Sequence, residues 1–150
     1  MGIPRTTQDI MATQVLTCTE QDTLATAHKL MRDHHIRHMP VVNSQSGEFM
    51  GLVTQKEVLR QAFTIAGTQG LAALEHAEAR IPVTQVMSRD TETVQPQLPL
   101  LAAGQYFLES KHGCLPVVVD GKLVGIVTSA DFVKLSVKLL ELNASQASTQ

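Results

Sequence analysis

The chain has 150 residues, 43% hydrophobic and 17% charged, with six histidines, two cysteines and a formal net charge of −2. Domains commonly span roughly 100–200 residues, so this length suits one domain or two small halves sharing a core, not a catalytic domain with an appendage. With no Trp, one Tyr and four Phe, it offers neither the basic footprint nor the aromatic platform of a protein that binds nucleic-acid polymer.

Cys18 and Cys114 stand far apart and in no CxxC spacing. That indicates neither a disulfide framework nor a thiolate metal site, and fits a reducing, cytoplasmic setting. No apolar run reaches the length of a membrane span and the start, "MGIPRTTQDI", lacks a signal-peptide core, so no membrane partner is expected. Gly2 and Thr6 formally fit the N-myristoylation pattern, against the plainer reading of a frayed arm.

In chain order, a short arm over residues 1–9 leads to the β-prone "VLTCT" and then a helix, with Asp22 as N-cap and Leu24, Ala27, Leu30 and Met31 on one face. Two strands follow, "MPVVN" and "EFMGLVT", with a second helix after Thr54. Ala66–Arg80 reads as a helix-prone connector, entered through Gly67 and Gly70 and stopped by Pro82. "TETVQ" is again β-prone. Pro99 suits the first position of a helix whose face is Leu100, Ala103 and Phe107. The strands "LPVVV" and "KLVGIVT" flank Asp120-Gly121, a strong hairpin signal. The last helix carries Val133, Val137 and Leu140, with Leu135, Leu139 and Leu142 beside them, a broad face suited to a partner. The polar "NASQASTQ" closes the chain as a disordered tail.

The second half repeats the first. At an offset of 76, Met11 falls on Met87, Thr17 on Thr93, Leu24 on Leu100, Ala27 on Ala103 and "PVV" at Pro40 on "PVV" at Pro116. After the hairpin tips the offset is 74, aligning Gly51 with Gly125, Val53 with Val127 and Thr54 with Thr128. A length change at a tip is what a true repeat tolerates. The division is an arm at 1–9, repeats at 10–66 and 81–142, a connector at 67–80 and a tail at 143–150.

A β-α-β-β-α unit with "PVV" on its middle strand, then "GLVTQKE" or "GIVTSAD" leading into its last helix, resembles the cystathionine-β-synthase-type (CBS) domain. Two in tandem resemble a Bateman module. The resemblance implies an α+β (α/β) fold with two repeats packed about a pseudo-twofold axis. It implies two clefts for adenosine-containing ligands (AMP, ADP, ATP or S-adenosylmethionine), homodimerisation, and a regulatory role without catalysis or a required cofactor.

Thr54-Gln55-Lys56-Glu57 reads as a capping box, in which Glu57 reaches back to the amide of its cap residue. Thr128-Ser129-Ala130-Asp131 offers the same threonine cap, but the shorter Asp131 reaches back less comfortably. Such a helix start also turns amide donors and the positive dipole end toward a phosphate. In the family the motif's Thr or Ser approaches phosphate and its Asp accepts from both ribose hydroxyls. Thr128 and Asp131 match fully; Glu57, one methylene longer, departs. Residues before the middle strand of one repeat are implied to line the cleft holding the other repeat's acid. The nucleotide-binding set is therefore Thr128, Asp131, Ile36, Arg37, Ser129, His112 and Gly113, with a weaker second cleft at Thr54, Glu57 and His38. The plain alternatives are capping for the acids, a solvated cation for Arg37, close backbone approach for Gly113 and a small buried filler at Cys114.

His34, His35 and His38 raise a metal reading, weakened because Pro40 and "MPVV" end the helix before His38. Cys114 near His112 lacks the third group and oxyanion loop that an enzyme needs. The expectation is a nucleotide sensor acting on another, regulated protein. Its main rival is a ligand-free dimerisation or docking module.

Overall fold

The structure, a computed structural model, describes residues 2–148. Met1, part of the myristoylation reading, and the last two residues of the tail lie outside the described residues. The mix of helices and strands is that of the α+β class. Backbone contacts divide the chain into an inner unit, Leu16–Glu92 with Asp120–Leu123, and a split unit made of the residues up to Val15, Thr93–Val119 and those from Val124 on.

The inner unit contains β1 (Cys18–Thr19), α1 (Leu24–His34), β2 (His38–Val42), β3 (Phe49–Thr54), α2 (Gln55–Gln69) and α3 (Leu74–Glu78). β2 is the middle strand. It pairs parallel with β1, Cys18 opposite Val41, and antiparallel with β3, Met39 opposite Val53. Leu24, Ala27 and Met31 of α1 bury against Met39, Val41, Val53 and Val58.

Two boundaries differ from the sequence reading. The cap of α1 is Thr23, whose side chain accepts from the Thr26 amide, because the Asp22 carboxylate turns back to take the Thr19 amide at 2.8 Å. α2 runs through Gly67 to Gln69 and stops at Gly70, where φ is +86°. The connector then makes a 3-10 turn at Leu71–Ala73 before α3.

The split unit contains α4 (Leu100–Glu109), β4 (Cys114–Val119), α5 (Ser129–Ser148) and, from Val124 on, β5 (Lys122–Thr128), whose first two residues group with the inner unit. Asp120 and Gly121, both at positive φ, make the two-residue turn between β4 and β5. Pro99 is the cap residue of α4, one place earlier than its first helical position. "TETVQ" forms a single parallel bridge, Val94 to Val117, instead of a strand. The core is Leu100, Ala103, Cys114, Leu115, Val117, Ile126 and Val127, with Phe107 edge-on to Phe132. α5 continues past Leu142 through residues read as tail, since Asn143–Ser148 holds no Gly or Pro to stop a helix already under way.

Each unit takes its leading segment from the far repeat. Ala12 bridges Ile126 of β5 through hydrogen bonds of 2.9 and 3.0 Å, and Ser88 bridges Leu52 of β3 through 2.8 and 3.0 Å. Residues before the first repeat thus complete the second repeat's hairpin, and residues before the second complete the first's. The anchoring is duplicated: Leu100 N–H donates to the Arg5 carbonyl at 2.9 Å, and Leu24 N–H to the Ile81 carbonyl at 2.8 Å.

Candidate functional site: two helix starts

The paired "GLVT" and "GIVT" stretches deliver the chain from β3 into α2 and from β5 into α5. In both units the residue before the middle strand is tied to this point. Arg37 C=O accepts from Gln55 N–H at 2.8 Å, and Gly113 C=O accepts from Ser129 N–H at 3.2 Å. A Cβ on Gly113 would stand 3.4 Å from Ser129 Oγ, in ordinary contact.

The two acids behave opposite to the capping expectation. Asp131 is the one that reaches back: its Oδ2 accepts from the Thr128 amide at 2.8 Å and faces Thr128 Oγ1 at 3.4 Å. Asp9 and Asp22 do the same to Thr6 and Thr19, so the Thr-x-x-Asp turn occurs three times among the described residues. Glu57 instead lies along α2. Its Oε1 and Oε2 accept from Arg60 at 2.7 and 2.9 Å, and Oε1 also takes Gln61 at 3.1 Å. The Arg60 guanidinium, with Gln61 assisting, holds the Glu57 carboxyl below its ordinary range against some opposing desolvation. The physical reason is competition. A glutamate is long enough to meet a guanidinium fork three residues on, and that bidentate, charge-assisted pair outweighs a single backbone amide. Asp131 has Lys134 and Leu135 at the corresponding places, so no guanidinium fork competes for it from α5.

The split unit therefore brings Thr128, Ser129, Asp131 and Gly113 together, with Ser129 exposed and Asp131 half-buried. Cys114 lies beneath them; burial pushes its thiol up to about 12, and the Asp131 carboxylate adds to the shift. It stays protonated and serves as core filler. His112 is exposed, its amide donating to Ser110 Oγ. The inner unit groups Thr54, Glu57 and the Arg37 backbone, with the Arg37 side chain exposed and Ile36 and His38 half-buried.

His34 ends α1, His35 follows it in the left-handed region and His38 opens β2. Among the described residues no group of three or more His, Cys, Asp or Glu is placed to hold a metal ion.

Sequence reasoning missed the His28–Glu78 pair. Glu78, 4% exposed, receives His28 Nδ1 at 2.9 and 3.1 Å and pins the connector to α1 beside a cleft of about 460 Å³. Fifty residues separate the partners, and no local pattern marks either one.

A family model described as "CBS domain" matches residues 8–63 and 83–138. The CBS domain-containing protein YhcV of Bacillus subtilis (strain 168) is 31% identical over 124 residues, covering 83% of this chain and 80% of its own length. A homoserine O-acetyltransferase of Methanococcoides burtonii is 30% identical, but the shared part is 23% of that enzyme. Among solved structures, the AcuB protein from Vibrio cholerae superposes with a TM-score of 0.77 at 34% identity, over 93% of this chain and 96% of that one. CBSX2, solved in complex with AMP, gives 0.75 at 24% identity, over 91% and 98%. Among the described residues no helix is long and apolar enough to cross a membrane.

Proposed function

The chain belongs to the CBS-domain family as a tandem pair, and from that premise we propose that it is a non-catalytic regulatory module. It binds an adenosine-containing nucleotide (AMP, ADP or ATP, or S-adenosylmethionine) at the Thr128–Asp131 helix start, in a cytoplasmic setting, and passes occupancy to a regulated protein. The observation carrying this reading is the unequal state of the two acids. Asp131 is turned back onto its own helix start through Oδ2, whereas Glu57 is taken up by Arg60 and Gln61. Ser129 Oγ and the first amides of α5 lie alongside, suited to phosphate. AMP bound to CBSX2 supports the ligand class. The acetyltransferase chemistry belongs to a protein of which this chain matches about a quarter.

The test is thermal unfolding with AMP, ADP, ATP, S-adenosylmethionine and NADH. A ligand present at about 100 times its Kd raises stability by about 2.7 kcal/mol. The wild type and Glu57→Ala should show the rise, and Asp131→Ala should lose it. Arg37→Ala separately tests the assignment, made by the resemblance alone, of Ile36 and Arg37 to the ligand. If no compound shifts the wild type at millimolar concentration, the sensor reading fails.

Self-association has its own support. Leu59 and Phe63 on α2, and their counterparts Val133 and Val137 on α5 with Leu140, are all exposed. An apolar stripe duplicated in both repeats suits an isologous dimer. Val137→Glu should convert a dimer to a monomer in sedimentation velocity; a wild type that is monomeric at tens of micromolar would remove this reading.

A further inference from the structure

The connector is tied down differently from the segment that follows it. From Ile81 on, backbone hydrogen bonds fix the chain: the Ile81 carbonyl accepts from Leu24 N–H at 2.8 Å, Val83 N–H donates to the Asp22 carbonyl at 2.9 Å, and Ser88 exchanges two bonds with Leu52. The backbone bonds of residues 70–80 are all local. Among the described residues, one hydrogen-bonded contact ties 70–80 to a distant part of the chain, that of Glu78 with His28 Nδ1 at 2.9 and 3.1 Å.

Glu78 is also the one buried residue of this stretch; Ala73, Leu74 and Ala77 are half-buried and Leu71 is 78% exposed. So little apolar surface makes a weak seat. α3 has five residues, well short of the roughly 12–15 at which a helix begins to hold itself in water. Its order therefore comes from the contact at its end.

An apolar side chain at position 78 would anchor the connector unconditionally. A carboxylate anchors it only while His28 answers, because removing one partner leaves a buried charge unpaired. Nδ1 must carry a hydrogen to donate, and the tautomer with its hydrogen on Nε2 turns a lone pair toward the carboxylate. Lys29 and Arg32 of α1 and Glu75 of α3 line the same cleft. Both cations are drawn to Asp33, so neither stands in for His28. The second repeat carries Gly104 in place of His28; the fold of a repeat does not itself call for the pair.

We propose that the connector is a strap that opens as a unit while the rest of the inner unit stays folded, with His28 and Glu78 as its clasp. One hinge is Gly70, at φ +86° between α2 and the 3-10 turn. The other is Ile81, where the backbone ties to α1 begin. Opening breaks no backbone bond to α1 or β3, and it bares the α1 face at Ala25, His28 and Arg32. The two settings differ by one buried contact, so any event that favours one of them acts through that pair. The inference is independent of nucleotide binding.

Hydrogen exchange of the full-length protein, read by mass spectrometry, tests it. In the wild type, peptides covering residues 71–80 should exchange at least about tenfold faster than those covering β2 and β3. His28→Ala should speed the connector by at least about tenfold more and leave β2 and β3 within about twofold. Adding Glu78→Leu to His28→Ala removes the unpaired charge and should return the connector to the wild-type rate or below. Nitrogen-15 NMR of the wild type should find hydrogen on His28 Nδ1, a readout that stands even if His28→Ala does not fold. Four results overturn the proposal: a wild-type connector that exchanges together with β2 and β3, a folded His28→Ala with unchanged connector exchange, a double variant as open as the single one, or a His28 ring with hydrogen on Nε2 alone.

Discussion

Leu115→Ala should destabilise the chain by about 2–5 kcal/mol, the range for a leucine truncated inside a well-packed core. Leu115 has no exposed surface. It lies on β4, the middle strand of its repeat, at the position Met39 holds in the other, and both are enclosed completely. The cavity cannot collapse easily, because the flanking Cys114, Pro116 and Val117 are fixed on a strand and are themselves buried. For a chain of this size each kcal/mol moves Tm by about 2–4 °C, so differential scanning fluorimetry resolves the loss. Leu108→Ala, truncating an exposed leucine, is the control and should shift Tm little. Equal effects at the two positions would contradict the core assignment.

Gly51→Ala and Gly125→Ala should each cost about 1–3 kcal/mol by overpacking. A Cβ at Gly51 would fall 2.7 Å from the Ser88 carbonyl oxygen. At Gly125 it would fall 2.9 Å from that of Ala12 and 2.6 Å from Met11 Sδ. The methionine can swing aside. The carbonyls cannot, because each accepts a hydrogen bond from the very strand carrying the glycine. Alanine therefore pushes the leading segment away and breaks its bridge. Gly67→Ala should go the other way, gaining up to about 1 kcal/mol in helix propensity, because it sits within α2 with nothing near its missing Cβ. Opposite signs in urea denaturation check the argument; a neutral Gly125→Ala would mean the arm is held by something other than this crossing.

The strands, the hairpin turn and the order of helices were legible because their signals are local. Pro40 and Pro116 head equivalent apolar runs, and Asp120-Gly121 supplies positive φ where two residues must reverse the chain. The exchange of leading segments was not, because isolated bridges between residues 36 positions apart (Leu52, Ser88) and 114 apart (Ala12, Ile126) leave no periodicity. A trace existed in the pairing of Met11 with Met87 and of mid-strand Gly51 with Gly125, since a glycine inside a strand often marks close backbone approach. The helix starts were half legible. The Thr-x-x-acid spacing located both, but the roles of the acids were inverted. Reach alone favoured Glu57 as the residue to turn back; Arg60 and Gln61, at the right spacing to capture it, decided otherwise.

The exchanged leading segments also bear on how the chain can be made and cut. One unit is nearly continuous in sequence, and the other is assembled from the two ends of the chain around it. During synthesis the first fifteen residues must wait for β5 to emerge, more than a hundred residues later, before Ala12 can bridge Ile126. Pairings of such long sequence separation form late. No single cut in the connector yields two self-sufficient halves: a fragment ending near Ala66 keeps a leader that serves the missing repeat and lacks the one that completes its own sheet.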